Sequence, residues 1–135
     1  MATVEYRGEP NGLAAMIGGL IEANLSQHPE REALLRPAVI GIEASDADVA
    51  LTLRLSPAGV QVANGIVGRP GVVVRADSET LADLTSVPLR FGFPDVMTAE
   101  GRAVTAKLLR RHLTVKGLLT RPAVVSRLNR LLSVA

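Results

Sequence analysis

Residues 46–81, DADVALTLRLSPAGVQVANGIVGRPGVVVRADSETL, constrain the fold more than any other part of the chain. Val49, Leu51, Leu53 and Leu55 alternate with Thr52 and Arg54. The period of two is that of a strand with one face buried and one face wet. Ser56-Pro57-Ala58-Gly59 turns the chain, and Val60 and Val62 continue the inner face with Gln61 outside. Asn64-Gly65 is a strong turn dipeptide. After Gly68-Arg69-Pro70-Gly71, Val72, Val74 and Ala76 alternate with Val73 and Arg75. An earlier run, residues 38–44, puts Ile40 and Ile42 on one face. Tight turns between successive strands imply a sheet that is at least partly antiparallel.

The flanking segments read as helical cover. A helix is expected from the N-cap residue Asn11, with Leu13, Met16, Ile17, Leu20, Ile21 and Leu25 as its apolar stripe. Gly18 and Gly19 lie inside it, at a cost of about 1 kcal/mol each relative to Ala. That cost suggests a close approach to another element or to a ligand, or a weak helix held by packing. Pro29 suits the first turn of a short helix through Leu35. His28, in a polar loop, reads as a cap or surface group. Asp77 or Ser78 caps a short helix with Leu81 and Leu84 on its apolar side. Residues 87–95 hold two prolines and a glycine and cannot continue a helix. Thr98 caps a helix to about residue 111, anchored by Val104, Leu108 and Leu109. A last strand, residues 112–117, turns Leu113 and Val115 inward. Thr120 is expected to cap a final helix, with Pro122 in its first turn and Val124, Val125, Leu128, Leu131 and Leu132 as its stripe. The sum is an α+β fold: five strands, mostly antiparallel, covered on one face by helices. Residues 1–10 read as a lead-in and 11–135 as one domain.

Composition narrows the chemistry. The apolar fraction is 47%, yet Tyr6, Phe91 and Phe93 are the only aromatics, so the interior must be aliphatic. Without Cys there is no disulfide and no thiolate metal site. Two His and scattered carboxylates give no nucleophile–base–orienter set, so no catalytic residue and no metal ligand is assigned. Asp46 and Asp48 sit in a turn, where they cap and solvate. Gly65-x-x-Gly68 lacks the helix start that a phosphate cradle needs. No apolar run approaches the ~20 residues of a membrane span. The N-terminus lacks a signal sequence, so a soluble cytoplasmic protein is expected.

Charge is uneven. After Glu100 there are eight bases and no acid, while residues 1–100 carry seven bases against all 13 acids. Residues 101–135 therefore either touch an anionic membrane or acidic protein transiently, or present ordinary solvated helix faces. A nucleic acid partner is not expected, because stacking aromatics are almost absent.

The pieces Val49 to Leu53, Gly59-Val60-Gln61-Val62, Asn64-Gly65, Val72-Val73-Val74-Arg75-Ala76-Asp77-Ser78-Glu79-Thr80-Leu81 and Leu113-Thr114-Val115-Lys116-Gly117, followed by an amphipathic helix, resemble the sterol carrier protein type 2 family in its bacterial stand-alone form. The resemblance covers roughly residues 38–134. It implies a five-stranded sheet with helices on one side and an apolar tunnel between them. It also implies a ligand among sterols, fatty acids or acyl esters, and no cofactor. Leu53, Val62 and Val74 would form the sheet wall of that tunnel. Leu20, Val104, Leu108, Val124 and Leu128 would form the helical wall, with Phe91 and Phe93 at the mouth. Read from the residues alone, the same side chains fill a solid core, as most alternating faces do. The family domain also occurs as an accessory or dimer-forming part of enzymes, so an accessory role and a homodimer are the alternatives to a carrier. Two departures stand out: Arg69-Pro70-Gly71 replaces an acidic or polar residue of many members, and residues 87–98 are long and Pro-rich.

Overall fold

The computed structural model describes residues 3–86, 89–90, 93–94, 97–109, 113–117 and 120–133. The chain runs β1 (Thr3–Arg7), α1 (Gly12–Gln27), a 3₁₀ helix (Pro29–Leu34), β2 (Ala38–Ala44), β3 (Val49–Ser56), β4 (Gly59–Asn64), β5 (Val72–Ala76) and α2 (Ser78–Ser86). Then come β6 (Leu89–Arg90), β7 (Phe93–Pro94), α3 (Ala99–Leu109), β8 (Leu113–Lys116) and α4 (Pro122–Leu132). The main sheet has six strands in the order β1-β4-β3-β2-β5-β8, and β6 and β7 form a separate small hairpin.

The expected α+β class holds, but the sheet is mixed and six-stranded instead of five-stranded and mostly antiparallel. Two pairs are parallel, β1 with β4 and β2 with β5. The sixth strand comes from the polar start of the chain. Thr3–Arg7 lies beside β4, and only Val4 and Tyr6 face the core side. The parallel β2–β5 pair arises because residues 65–71 cross over the outer face of β3 and β2 before β5 begins. Thr52 is therefore not a solvent group. Its Oγ1 donates to the Gly65 carbonyl (2.7 Å) and accepts from the Val67 amide (2.9 Å), leaving it 4% exposed. Gly41 makes room for the crossing: a Cβ there would sit 2.8 Å from Ile66 Cδ1.

Across the inner face the rows are continuous. Tyr6 faces Val62, Val62 faces Leu53, and Leu53 faces Ile40. One row on, Leu51 faces Ile42, Ile42 faces Val74, and Val74 faces Val115. Outward-facing Arg54, Gln61 and Arg75 are exposed, as the alternation requires. Leu13, Ile17 and Ile21 of α1 and Val125, Leu128 and Leu131 of α4 close the same core.

Local chemistry explains the helix ends. Asn11 Oδ1 accepts from the Ala14 amide (2.8 Å), Asp77 Oδ1 from the Thr80 amide (2.7 Å), and Thr98 Oγ1 from the Gly101 amide (3.0 Å). Each removes one of the orphan N–H groups of a helix start. Thr120 does not play that part in α4, where Arg121 is the N-cap residue and supplies no side-chain bond. Pro122 at the first helical position needs none for its own nitrogen. The segment Pro29–Leu34 winds as a 3₁₀ helix.

Candidate functional site

The strongest functional feature is the aliphatic layer between the sheet and the helices. Leu53 and Val62 are 0% and 1% exposed, and Leu51 and Ile21 are 0%. A side chain with no accessible surface borders no water-sized void, so these positions are packed solid. Partly buried members sit at the margins of the layer, on several of its elements. Val74 retains 6% exposure, and Val115, Val124 and Leu20 are half-buried members packed against the core. At one margin β8 is the short edge strand; α3 packs on it, and α2 packs on α3 and α4.

Of the residues assigned to tunnel walls, the structure brings Leu20, Leu53, Val62, Val74, Val124 and Leu128 into one apolar layer. Val104 and Leu108 lie in α3 and Phe93 in β7. Phe91 lies outside the described residues.

One polar residue at the start of α2 escaped sequence reasoning. Thr80 is 0% exposed, and its Oγ1 has no hydrogen-bond partner. Its amide is held by Asp77, and its neighbour Leu81, 5% exposed, belongs to the core. A buried hydroxyl left unpaired costs about 1–3 kcal/mol. A strand-to-helix junction carrying a threonine on the side of its inward leucine was the available signal. It reads in sequence as an ordinary first-turn residue.

Two further polar residues hold the layer's cover in place. Asn24, 5% exposed, donates from Nδ2 to the Leu131 carbonyl (2.8 Å) and so joins α1 to α4. Arg31 Nη1 donates to the Ser133 carbonyl (2.7 Å) and ties the end of α4 to the 3₁₀ helix.

The opposite face of the sheet is polar. Its grooves are open: one of about 230 Å³ is lined by Thr3, Glu5, Arg54 and Gln61, and one of about 320 Å³ by Glu43, Asp48 and Arg75. Arg75 Nε lies 3.9 Å from Glu43 Oε2 in an exposed pair of little energetic weight. Asp46 anchors the start of α2, accepting at Oδ1 from the Ser78 amide and hydroxyl (both 2.9 Å). His28 Nδ1 lies 3.4 Å from Glu30 Oε1 in an exposed loop. Among the described residues no group of three or more potential ligands could hold a metal ion, and no helix is long and apolar enough to cross a membrane. The bases of the last third do not form one helix face. Lys116 is on the outer sheet face opposite Val73, Arg121 lies against Gly71, and Arg127 Nη1 donates to the Arg36 carbonyl (3.1 Å).

No family model matches the chain, and no curated protein matches it in sequence. In structure it is similar to "UbiJ-SCP2 Ubiquinone synthesis protein", with a TM-score of 0.62 at 21% identity over 88% of this chain and 91% of that one. A conserved hypothetical protein from Thermus thermophilus, described as a possible sterol carrier protein, aligns over 98% of this chain and 96% of its own at 13% identity. Its TM-score of 0.43 is too low to bear on the fold. The first likeness establishes the fold: the chain adopts a sterol carrier protein type 2-like architecture.

Proposed function

We propose that this protein binds a hydrophobic small molecule carrying one polar group, without catalysing its conversion. The ligand's apolar part lies against Val74, Val115 and Val124, at the margin of the layer beside the edge strand β8. Thr80 has no accessible surface in the ligand-free structure, so its unpaired hydroxyl meets the ligand's polar group only when the start of α2 shifts to admit the guest. The observation that carries the reading is an aliphatic layer with, among the described residues, one buried unpaired hydroxyl at the start of α2, next in sequence to the core residue Leu81. The sterol carrier-like fold supports it, since that architecture suits an apolar guest between sheet and helices. Burying about ten methylenes would contribute about 8 kcal/mol at ~0.8 each, a micromolar scale before ordering costs.

Thr80→Val tests the polar half of the proposal. The variant keeps shape and removes the hydroxyl. Titration with a fluorescent fatty acid is expected to show affinity weakened about two- to tenfold, the worth of one neutral hydrogen bond. Unchanged affinity would remove Thr80 from the site.

A second reading has one observation behind it. The structurally similar chain is described as a ubiquinone synthesis protein. By that analogy this protein serves an enzyme assembly acting on an apolar isoprenoid-like molecule, presenting or storing it. A protein that binds short isoprenoid quinones in preference to fatty acids in the same titration favours this reading over general lipid carriage.

A further inference from the structure

Strand β1 is a sheet edge. Among the described residues no strand pairs with its far side. An edge strand leaves alternate backbone N–H and C=O groups open to another chain. Proteins commonly blunt such edges with proline, bulges or repelling charges. Thr3–Arg7 shows none of these: it pairs in unbroken register with β4, and its two exposed charges, Glu5 and Arg7, are opposite in sign and two residues apart.

We propose that β1 pairs antiparallel with β1 of a second copy of this chain, about a two-fold axis at Tyr6, joining two six-stranded sheets edge to edge. In such an isologous pair, residues facing each other must come from the same side of the sheet. An axis at Glu5 would set that carboxylate against itself. An axis at Val4 would face Glu5 with the partner's Thr3 and leave Arg7 beyond the pairing. The axis at Tyr6 faces Glu5 with the partner's Arg7 twice over and Tyr6 with the partner's Tyr6. Opposite charges across a strand pair attract, and paired aromatics add to them. Neither Glu5 nor Arg7 has an ion-pair partner among the described residues, so both are free for this use. Tyr6 sets its hydroxyl end against Gly18 of α1 and is still 36% exposed, so the residue is not sealed by its own chain.

The strand is also pre-set. Asn64 Nδ2 donates to the Glu9 carbonyl (2.7 Å), and Asn64 Oδ1 accepts from the Asn11 amide (2.8 Å). Asn11 Nδ2 donates to the Ala50 carbonyl (3.0 Å). These bonds fix the connection from β1 to α1 against β3 and β4, so a partner strand meets an ordered edge and little ordering entropy is lost on pairing.

Sedimentation equilibrium of the full chain tests the interface by charge reversal. The wild type is expected to be a dimer. Glu5→Arg alone or Arg7→Glu alone sets like charges opposite each other twice and should weaken dimerisation by about tenfold or more. The double variant restores both pairs and should restore the dimer. Amide exchange of the wild type supplies a check that needs no variant: protection of residues 3–7 should rise with protein concentration. A monomeric wild type, a dimer indifferent to either reversal, no rescue in the double variant, or concentration-independent exchange at residues 3–7 would each overturn the proposal. None of these outcomes bears on ligand binding in the layer beyond β5.

Discussion

Gly18 and Gly19 stand side by side in α1 and answer to different constraints. A Cβ at Gly18 would overlap the Tyr6 hydroxyl and ring, whereas one at Gly19 would meet nothing within 4 Å. Gly19→Ala should therefore stabilise the protein by about 0.5–1 kcal/mol, the helix-propensity difference, while Gly18→Ala should gain less because the Tyr6 ring must shift. Urea denaturation of the two variants measures the contrast. The sequence could show that two glycines weaken a helix, but not which was the contact, because the contact partner lies in a strand that has no local signature. Thr80 makes the opposite case at this scale. Its hydroxyl is buried without a partner, so Thr80→Val should raise the stability of the ligand-free protein by about 1 kcal/mol. The same substitution weakens ligand binding. A residue retained for folding alone would not show that trade.

Elements whose pattern is local were readable, and those fixed by distant pairing were not. The strands β2 to β5 declared themselves because period-two alternation sits between turn dipeptides. Strand β1 did not. Its five residues have two apolar side chains, and it becomes a strand by pairing with residues more than fifty positions away. Met16 shows the limit of a stripe: it has the spacing of a core residue but is 49% exposed, while Asn24, off the stripe in type, is buried against α4. Thr52, outward by alternation, is covered because the crossover to β5 passes over it. Asn64 joins these distant pieces, since its one side chain holds both Glu9 and Asn11. Asn64→Ala should cost about 1–2 kcal/mol in stability, for two hydrogen bonds. It should also speed amide exchange in residues 3–7 selectively, which hydrogen exchange with mass spectrometry resolves.

For the molecule as a whole, sequence alternation tells which side chains face inward but not whether the space between two inward faces is filled. Six of the wall residues do converge, and three of them, Leu53, Val62 and Leu128, sit in closely packed core. The proposed binding region lies toward β5, β8 and the start of α2, beside the partly buried Val115 and Val124 and the unpaired Thr80. The charge asymmetry of the last third, legible in sequence, disperses over several faces once folded. Native mass spectrometry of the full chain, purified gently and without detergent, tests the central claim most directly when paired with solvent extraction of the same sample. The proposal predicts a protein ion carrying one additional apolar molecule of lipid mass, recovered in the extract and displaced by added fatty acid. A protein that flies empty, yields no lipid on extraction and fails to take up a fluorescent acyl chain would contradict it.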